Sequence, residues 1–343
     1  MNKSSSVMKQ IPIIILLVLS LLVMSVVGVL IYFNTLLNPV ANNAQPPVIV
    51  EVPANSTSSS VAALLEKKGL IKSATAFRVY SRYKGLDSQI QTGEYQLTAS
   101  MSTPEILNTI IEGNQVFYSF TVPEGYTVEE IAQLLDNKGY ADKDEFLELC
   151  QKGDFDYPFL KEQANTKYVL EGYLFPDTYK ITKQMNEQDI ILMMLNRFVA
   201  EAEKLNLAAK AKKLNFSLHQ AVTVAAMIER EAIFDKERPR ISGVIQNRLK
   251  IGMPLQIDAT VLYALGQHKE VVLYKDLEVD SPYNTYRVQQ LPPGPIACPG
   301  SASLKAAVEP EETDYLYYLA KPDGTHVFTN TLAEHQHYKE KYL

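Results

Sequence analysis

Two stretches of the chain run in parallel, "VPANSTSSSVAALLEKKG" (Val52 to Gly69) and "VPEGYTVEEIAQLLDNKG" (Val122 to Gly139). They align without a gap at an offset of 70 residues, pairing Pro53 with Pro123, Thr57 with Thr127, Ala62 with Ala132, Leu64-Leu65 with Leu134-Leu135 and Lys68-Gly69 with Lys138-Gly139. Further on, "GEYQLTASMSTPEIL" (Gly93 to Leu107) matches "DTYKITKQMNEQDII" (Asp177 to Ile191) at an offset of 84, aligning Tyr95 with Tyr179, Met101 with Met185 and Ile106 with Ile190. Two matches in the same order argue for duplication rather than chance, with 14 extra residues inside the second copy, the difference between the offsets. Each copy reads as a strand ending at proline (Ile49 to Pro53; Phe120 to Pro123), then a helix closing at Gly69 or Gly139, the residue type expected just past a helix end. A second helix, a short alternating strand around Tyr95 or Tyr179 and a final helix follow. The expected fold class is α+β, built on a pair of small α+β units.

Upstream of the first copy, Ile11 to Phe33 contains no charged residue and is long enough for a helix to cross a bilayer. Lys3 and Lys9 precede it and no acid occurs before Glu51, so the positive-inside rule puts the short tail in the cytoplasm and the rest outside. The apolar run exceeds a signal-peptide core and no A-x-A site follows, which favours an uncleaved anchor. A chain of 343 residues is long for one core, and 46% hydrophobic with 21% charged residues is an ordinary globular composition. The net charge of -6, with no Lys/Arg cluster, sets nucleic-acid binding aside. Cys150 and Cys298 lie far apart in sequence and read as free thiols rather than a disulfide framework.

Beyond a polar helix expected near Gln188 to Leu214 the character changes. In "NFSLHQAVTVAAMIEREAIF" (Asn215 to Phe234), Ser217 followed by Gln220 forms a capping-box pattern that starts a helix near Leu218. A second helix, roughly Pro239 to Ile251, has proline in its first turn and Gly252 past its end. The remainder is rich in Pro, Gly, Asn and Tyr, as loops lining a groove are.

The first of these helices carries Glu229 and Glu231 in an apolar run. At about 100° per residue the two point to nearly opposite faces, so they are not a paired acid and base. Apolar surroundings raise a carboxyl pKa, the property a general acid needs near neutral pH. The competing reading pairs one glutamate with Arg230, Arg238, Arg240 or Arg248 and leaves the other solvated, and periodicity does not choose. No H-E-x-x-H, C-x-x-C, G-x-S-x-G or glycine-rich phosphate loop occurs, so neither a metal site nor any cofactor is expected. Gln256 and Asp258, in "LQID", are candidates to orient a sugar.

The segments "MIERE", "RPRISGVIQNRLKIGMPLQIDATVLYALG", "LEVDSPYNTYRVQQLPPGPIACPGSASLKAAVEP", "DYLYYLA" and "GTHVFTNTLAEH", in that order, resemble the YceG-like endolytic murein transglycosylases. The resemblance runs from about Ile49 to Leu343. It implies a single-pass envelope enzyme with a LysM-like portion before a loop-rich α+β catalytic domain whose catalytic glutamate sits on a helix. The corresponding plan is a cytoplasmic tail (1–10), a transmembrane helix (11–33), a linker (34–48), the duplicated units (49–198) and a catalytic domain (199–343). The family's I-E-[KR]-E motif places the catalytic glutamate at Glu231, with Glu229 in support and Gln256, Asp258, Tyr283, Asn284 and Tyr286 as candidate sugar contacts. The family carries Thr, Ser or Asn before Pro299 where this chain has Cys298, a departure that removes a hydrogen-bonding side chain. The implied reaction is nonhydrolytic cleavage of the MurNAc-GlcNAc β-1,4 bond in peptidoglycan. The implied partners are glycan strands, penicillin-binding proteins and other peptidoglycan synthases. A noncatalytic glycan-binding scaffold and a hydrolytic muramidase are the rival readings.

Overall fold

The computed structural model describes residues 4–152, 155–161, 163, 165–266, 269 and 272–342. Two compact units emerge, Met1–Tyr118 with Thr182–Gln184, and Ser119–Ile181 with Met185–Leu343.

The first unit opens with helix α1 (Ser4–Leu37), whose Ile15–Leu37 portion is apolar and exposed from Ile15 to Tyr32, as a membrane anchor would be. Strand β1 (Val48–Val52), helices α2 (Ser58–Lys67) and α3 (Ala74–Lys84), strand β2 (Gly93–Leu97) and helix α4 (Thr103–Ile111) follow. Strands β1 and β2 pair antiparallel with Val50 opposite Tyr95. Their inward side chains Val50, Val52, Tyr95 and Leu97 bury against Leu65, Phe77, Ile106 and Ile110 from the helices. Lys183 belongs to this unit through a 3.1 Å ion pair to the buried Glu94.

The second unit contains β3 (Tyr118–Thr121), α5 (Val128–Asn137), α6 (Lys143–Lys152), β4 (Thr178–Ile181) and α7 (Glu187–Lys204). Element for element this succession runs like that of the first unit. Thr57 and Thr127 both cap their helices in capping boxes, and Gly69 and Gly139 both take φ of +68° just past the ends. The hydroxyls of Tyr95 and Tyr179 each donate to the carbonyl four residues back, Gln91 and Phe175.

The single polar helix expected near Gln188 to Leu214 is two helices. Asn206 takes a left-handed conformation (φ +51°) and divides α7 from α8 (Leu207–Lys213). Asparagine tolerates that backbone better than most residues, so the break is local chemistry that periodicity does not register.

Helix α9 (Leu218–Glu231) is the axis of the second unit. Its capping box is formed, with Gln220 N–H donating to Ser217 Oγ at 3.1 Å and Ser217 N–H to Gln220 Oε1 at 2.9 Å. Ala221 to Ile228 are all buried, so α9 is apolar all round and other helices cover it: α8, α10 (Arg238–Lys250), α11 (Asp258–Leu265) and α12 (Ser301–Val308). Ala225 and Ala226 on α9, with Ala306 and Ala307 on α12, permit close approach. Val222, Val224, Met227 and Ile228 each contribute roughly 1.5–3 kcal/mol by burial. An antiparallel hairpin, β5 (Tyr317–Ala320) and β6 (His326–Thr329), and helix α13 (Leu332–Tyr342) complete the chain. Cys150 and Cys298 are both buried free thiols.

Candidate active site

The last turn of α9 carries both glutamates, and Ala232 ends the helix in an extended conformation. Their surroundings differ as much as their directions. Glu229 is an ion-pair residue: its Oε1 lies 3.1 Å from Arg238 Nη1, and the two side chains are 6% and 7% exposed. Its other oxygen accepts from Gly300 N–H at 2.9 Å. Arg238 also donates to Asp235 and to Ser303. Of the four arginines considered from sequence, Arg238 is the partner, and both oxygens of Glu229 are engaged in joining α9, α10 and the start of α12.

Glu231 has no ion-pair partner among the described residues. It keeps part of its surface open to solvent, yet the protein around it is dense enough that burial, reinforced by the negative charge of Asp258, pushes its carboxyl up to about 7. A hydrogen bond with Tyr318 and the charge of Arg230 oppose that rise. Its place at the helix C-terminus, the negative end of the macrodipole, acts in the same direction as burial.

Three elements meet around Glu231. Strand β5 supplies Tyr318, helix α11 begins with Asp258, and the loop after it supplies Tyr286, whose hydroxyl donates to Asp258 Oδ1 at 2.5 Å. Gln256 stands exposed two residues before Asp258 with φ of +53°, a strained conformation for a residue with a side chain. Its N–H is tied to Thr285 O at 3.1 Å. Arg248, from α10, binds two of these pieces together: its Nε donates to Leu316 O at 2.6 Å and its Nη1 to Leu255 O at 2.6 Å and Pro254 O at 3.2 Å. One guanidinium therefore fixes the strand bearing Tyr318 and the segment bearing Gln256 and Asp258.

Glu231, Asp258, Tyr286 and Gln256 thus share one neighbourhood, whereas Tyr283 and Asn284 are structural in their contacts. Asn284 is fully buried and donates to Leu277 O and Val279 O at 2.9 Å each while accepting from Tyr286 N–H. Tyr283 packs on Tyr263 with ring centroids 4.9 Å apart, away from the glutamate. Tyr318 and Arg248 are the residues that sequence reasoning did not place at the site. The sequence around Tyr318 reads as loop, whereas it forms β5, and Arg248 looks like any surface arginine of an amphipathic helix.

Behind the groove, Glu171 is buried (1% exposed), accepting from Val128 N–H at 3.1 Å and Tyr263 hydroxyl at 3.0 Å. Burial pushes its carboxyl up to about 8. Cys298 connects to the second repeat through its backbone, accepting from Gly125 N–H at 2.9 Å and donating to Tyr126 O at 2.7 Å. The side chain at that position is buried, and burial pushes its thiol well up.

A helix-borne acid whose carboxyl is pushed up, beside an Asp-Tyr pair and partly open to solvent, has the protonation behaviour that general acid chemistry requires. Residues 50–341 match the YceG-like family model, and the chain belongs to that family. It is 40% identical over 328 residues to the endolytic murein transglycosylase of Bacillus subtilis (strain 168), covering 92% of this chain and 90% of that protein. The protein of the same name from Streptococcus pneumoniae (strain R6) is 32% identical, matching 87% of this chain and 58% of its own length. A crystal structure of a yceG-like protein from Listeria monocytogenes superposes with a TM-score of 0.60 at 36% identity, covering 86% of this chain and all of that one.

Proposed function

We propose that this chain is an endolytic peptidoglycan lytic transglycosylase, cutting MurNAc-GlcNAc β-1,4 bonds within glycan strands and leaving 1,6-anhydro-MurNAc ends. The observation that carries the residue assignment is the environment of Glu231: a carboxyl held near neutrality, partly open to solvent and in no ion pair among the described residues. Protonated Glu231 donates to the glycosidic oxygen as the bond breaks. The resulting carboxylate takes the proton from the 6-hydroxyl of the same MurNAc as that oxygen closes on C1. The internal hydroxyl is already in place at high effective molarity, so no second carboxylate has to activate water. Asp258, oriented by Tyr286, offsets the positive charge that develops on the ring, and Gln256 and Tyr286 are the candidate sugar contacts. Glu229, Tyr283 and Asn284 support the groove walls.

Asp258 gives the rival hydrolytic muramidase its one favourable observation, because a glycosidase needs a second carboxylate across from the acid. Incubating the full chain in detergent micelles with purified peptidoglycan, and weighing released fragments by mass spectrometry, separates the readings. Ends lighter by one water than reducing ends support the lytic reaction. Reducing ends overturn it in favour of hydrolysis, and no release favours a binding scaffold.

The same reading assigns 11–33 to a single membrane crossing with residues 1–10 cytoplasmic, 34–48 to a linker, 49–198 to the duplicated units with their LysM-like portion, and 199–343 to the catalytic domain. The exposed apolar α1 supports the anchor, and the parallel caps of α2 and α5 support the duplication. An enzyme so tethered meets strands as they emerge at the membrane, where penicillin-binding proteins and other synthases are its natural partners and cleavage ends elongation.

A further inference from the structure

A cavity of about 440 Å³ is lined by Arg230, the chain neighbour of Glu231, and by Ala259, the chain neighbour of Asp258. That volume lies within the range of small-ligand sites, roughly 300–1,000 Å³. Its lining is strongly charged. Arg230, Lys167 and Lys269 supply cations, and Glu129, Glu130 and Glu171 carboxyls, with Lys269 held 2.8 Å from Asp276. Lys167 Nζ lies 2.9 Å from Glu129 and above the Tyr263 ring, which keeps both charges at the cavity wall. Arg230 spends one nitrogen on Gly125 O at 3.2 Å, and among the described residues no carboxylate lies within ion-pair distance of it. The remaining guanidinium donors suit a planar carboxylate.

An uncharged glycan has no use for such a cavity, but the MurNAc of the proposed substrate carries more than sugar. Its lactyl group bears a short peptide with free carboxylates and, when not cross-linked, a free amine. We propose that this cavity is a subsite for the stem peptide of the MurNAc at the cleavage point, its carboxylates meeting Arg230 and Lys167 and its amine meeting Glu129. The inference rests on the peptidoglycan reading above. It makes the enzyme a reader of peptide as well as glycan, through a cavity whose Arg230 is the chain neighbour of Glu231.

The test compares uncross-linked strands bearing peptides with the same strands stripped by an amidase, using the full chain in detergent and following kcat/KM. The expected wild-type preference is about tenfold or more for peptide-bearing strands, the scale of a lost charge-assisted contact. Lys167→Gln should bring the ratio to within about twofold while cleavage of stripped strands is retained. Acetylating the stem amine should lower wild-type kcat/KM and leave Glu129→Gln indifferent. Equal wild-type rates on both substrates overturn the proposal, as does a Lys167→Gln loss that is the same on both. The wild-type ratio needs no variant, so a misfolded variant leaves the proposal falsifiable. The chemistry of the released ends judges the enzymatic reading separately: reducing ends would overturn that reading while the ratio still judges the subsite.

Discussion

Glu229 and Arg238 face each other across 3.1 Å with both side chains almost wholly buried, while Glu231, two residues along the same helix, has no ion pair among the described residues and a hydrogen bond with Tyr318. The contrast separates a structural acid from a chemical one. Removing one partner of a buried ion pair strands the other charge, so Glu229→Gln should cost about 3–5 kcal/mol in chemical denaturation. Glu231→Gln should not lower the denaturation midpoint and should reduce anhydro-end release by roughly 10²–10⁴-fold. Full activity in Glu231→Gln with a dead but folded Glu229→Gln would reverse the assignment.

The raised carboxyl of Glu231 sets the pH profile. Only the protonated form donates, so kcat/KM should fall as pH rises through about 7. Tyr318 stabilises the carboxylate and Asp258 destabilises it, so their removal acts in opposite directions. Tyr318→Phe should move the alkaline limb to higher pH and Asp258→Asn to lower pH, each by up to about one unit. Limbs that move together would rule out this electrostatic account.

The caps of α2 and α5, the long apolar N-terminal helix and the start of α9 were legible because they rest on local rules: capping boxes, glycine stops and an uncharged apolar run. So was the opposition of Glu229 and Glu231, which helical geometry alone dictates. The choice of Arg238 over Arg230, Arg240 and Arg248 was not, because it depends on how α9 and α10 cross. Tyr318 and Arg248 escaped for the same reason, since each reaches the site from an element distant in sequence. Gln256 and Asp258 stand out in the sequence as candidates, but their tie to Tyr286 and to the Arg248 clamp is tertiary.

Glu171 should make stability fall with rising pH. Its carboxyl stands at about 8 in the folded chain against an ordinary value of 4.5, so the native state holds a proton that the unfolded chain releases between those values. That contribution is fully present below about pH 4.5 and lost as pH rises through about 8, with a total of a few kcal/mol at ~1.4 kcal/mol per unit. Glu171→Gln should flatten the upper part of the unfolding-versus-pH curve, and an unchanged slope between pH 7 and 8 would contradict the assignment. Glu231→Gln is the control, since its carboxyl, at about 7, affects only the lower part.

Gly172 fixes how closely the second repeat's inserted segment approaches α9. Its φ is +86°, and a Cβ there would lie 2.5 Å from Pro295 Cβ and 3.1 Å from Val222 Cγ1. Neither neighbour yields easily, because the proline belongs to the loop whose Pro293 carbonyl is held by His219 at 2.7 Å and Val222 lies in the buried face of α9. Gly172→Ala therefore combines left-handed strain of about 1 kcal/mol with overpacking of about 1–3 kcal/mol. Gly69→Ala is the matched comparison: its φ of +68° is also left-handed but a Cβ there meets nothing within 4 Å, so it should show the strain cost alone. A denaturation midpoint that falls clearly further for Gly172→Ala than for Gly69→Ala isolates the packing cost. Equal shifts would mean that the Pro295 loop moves aside, and that the contact between this segment and α9 is softer than its geometry implies.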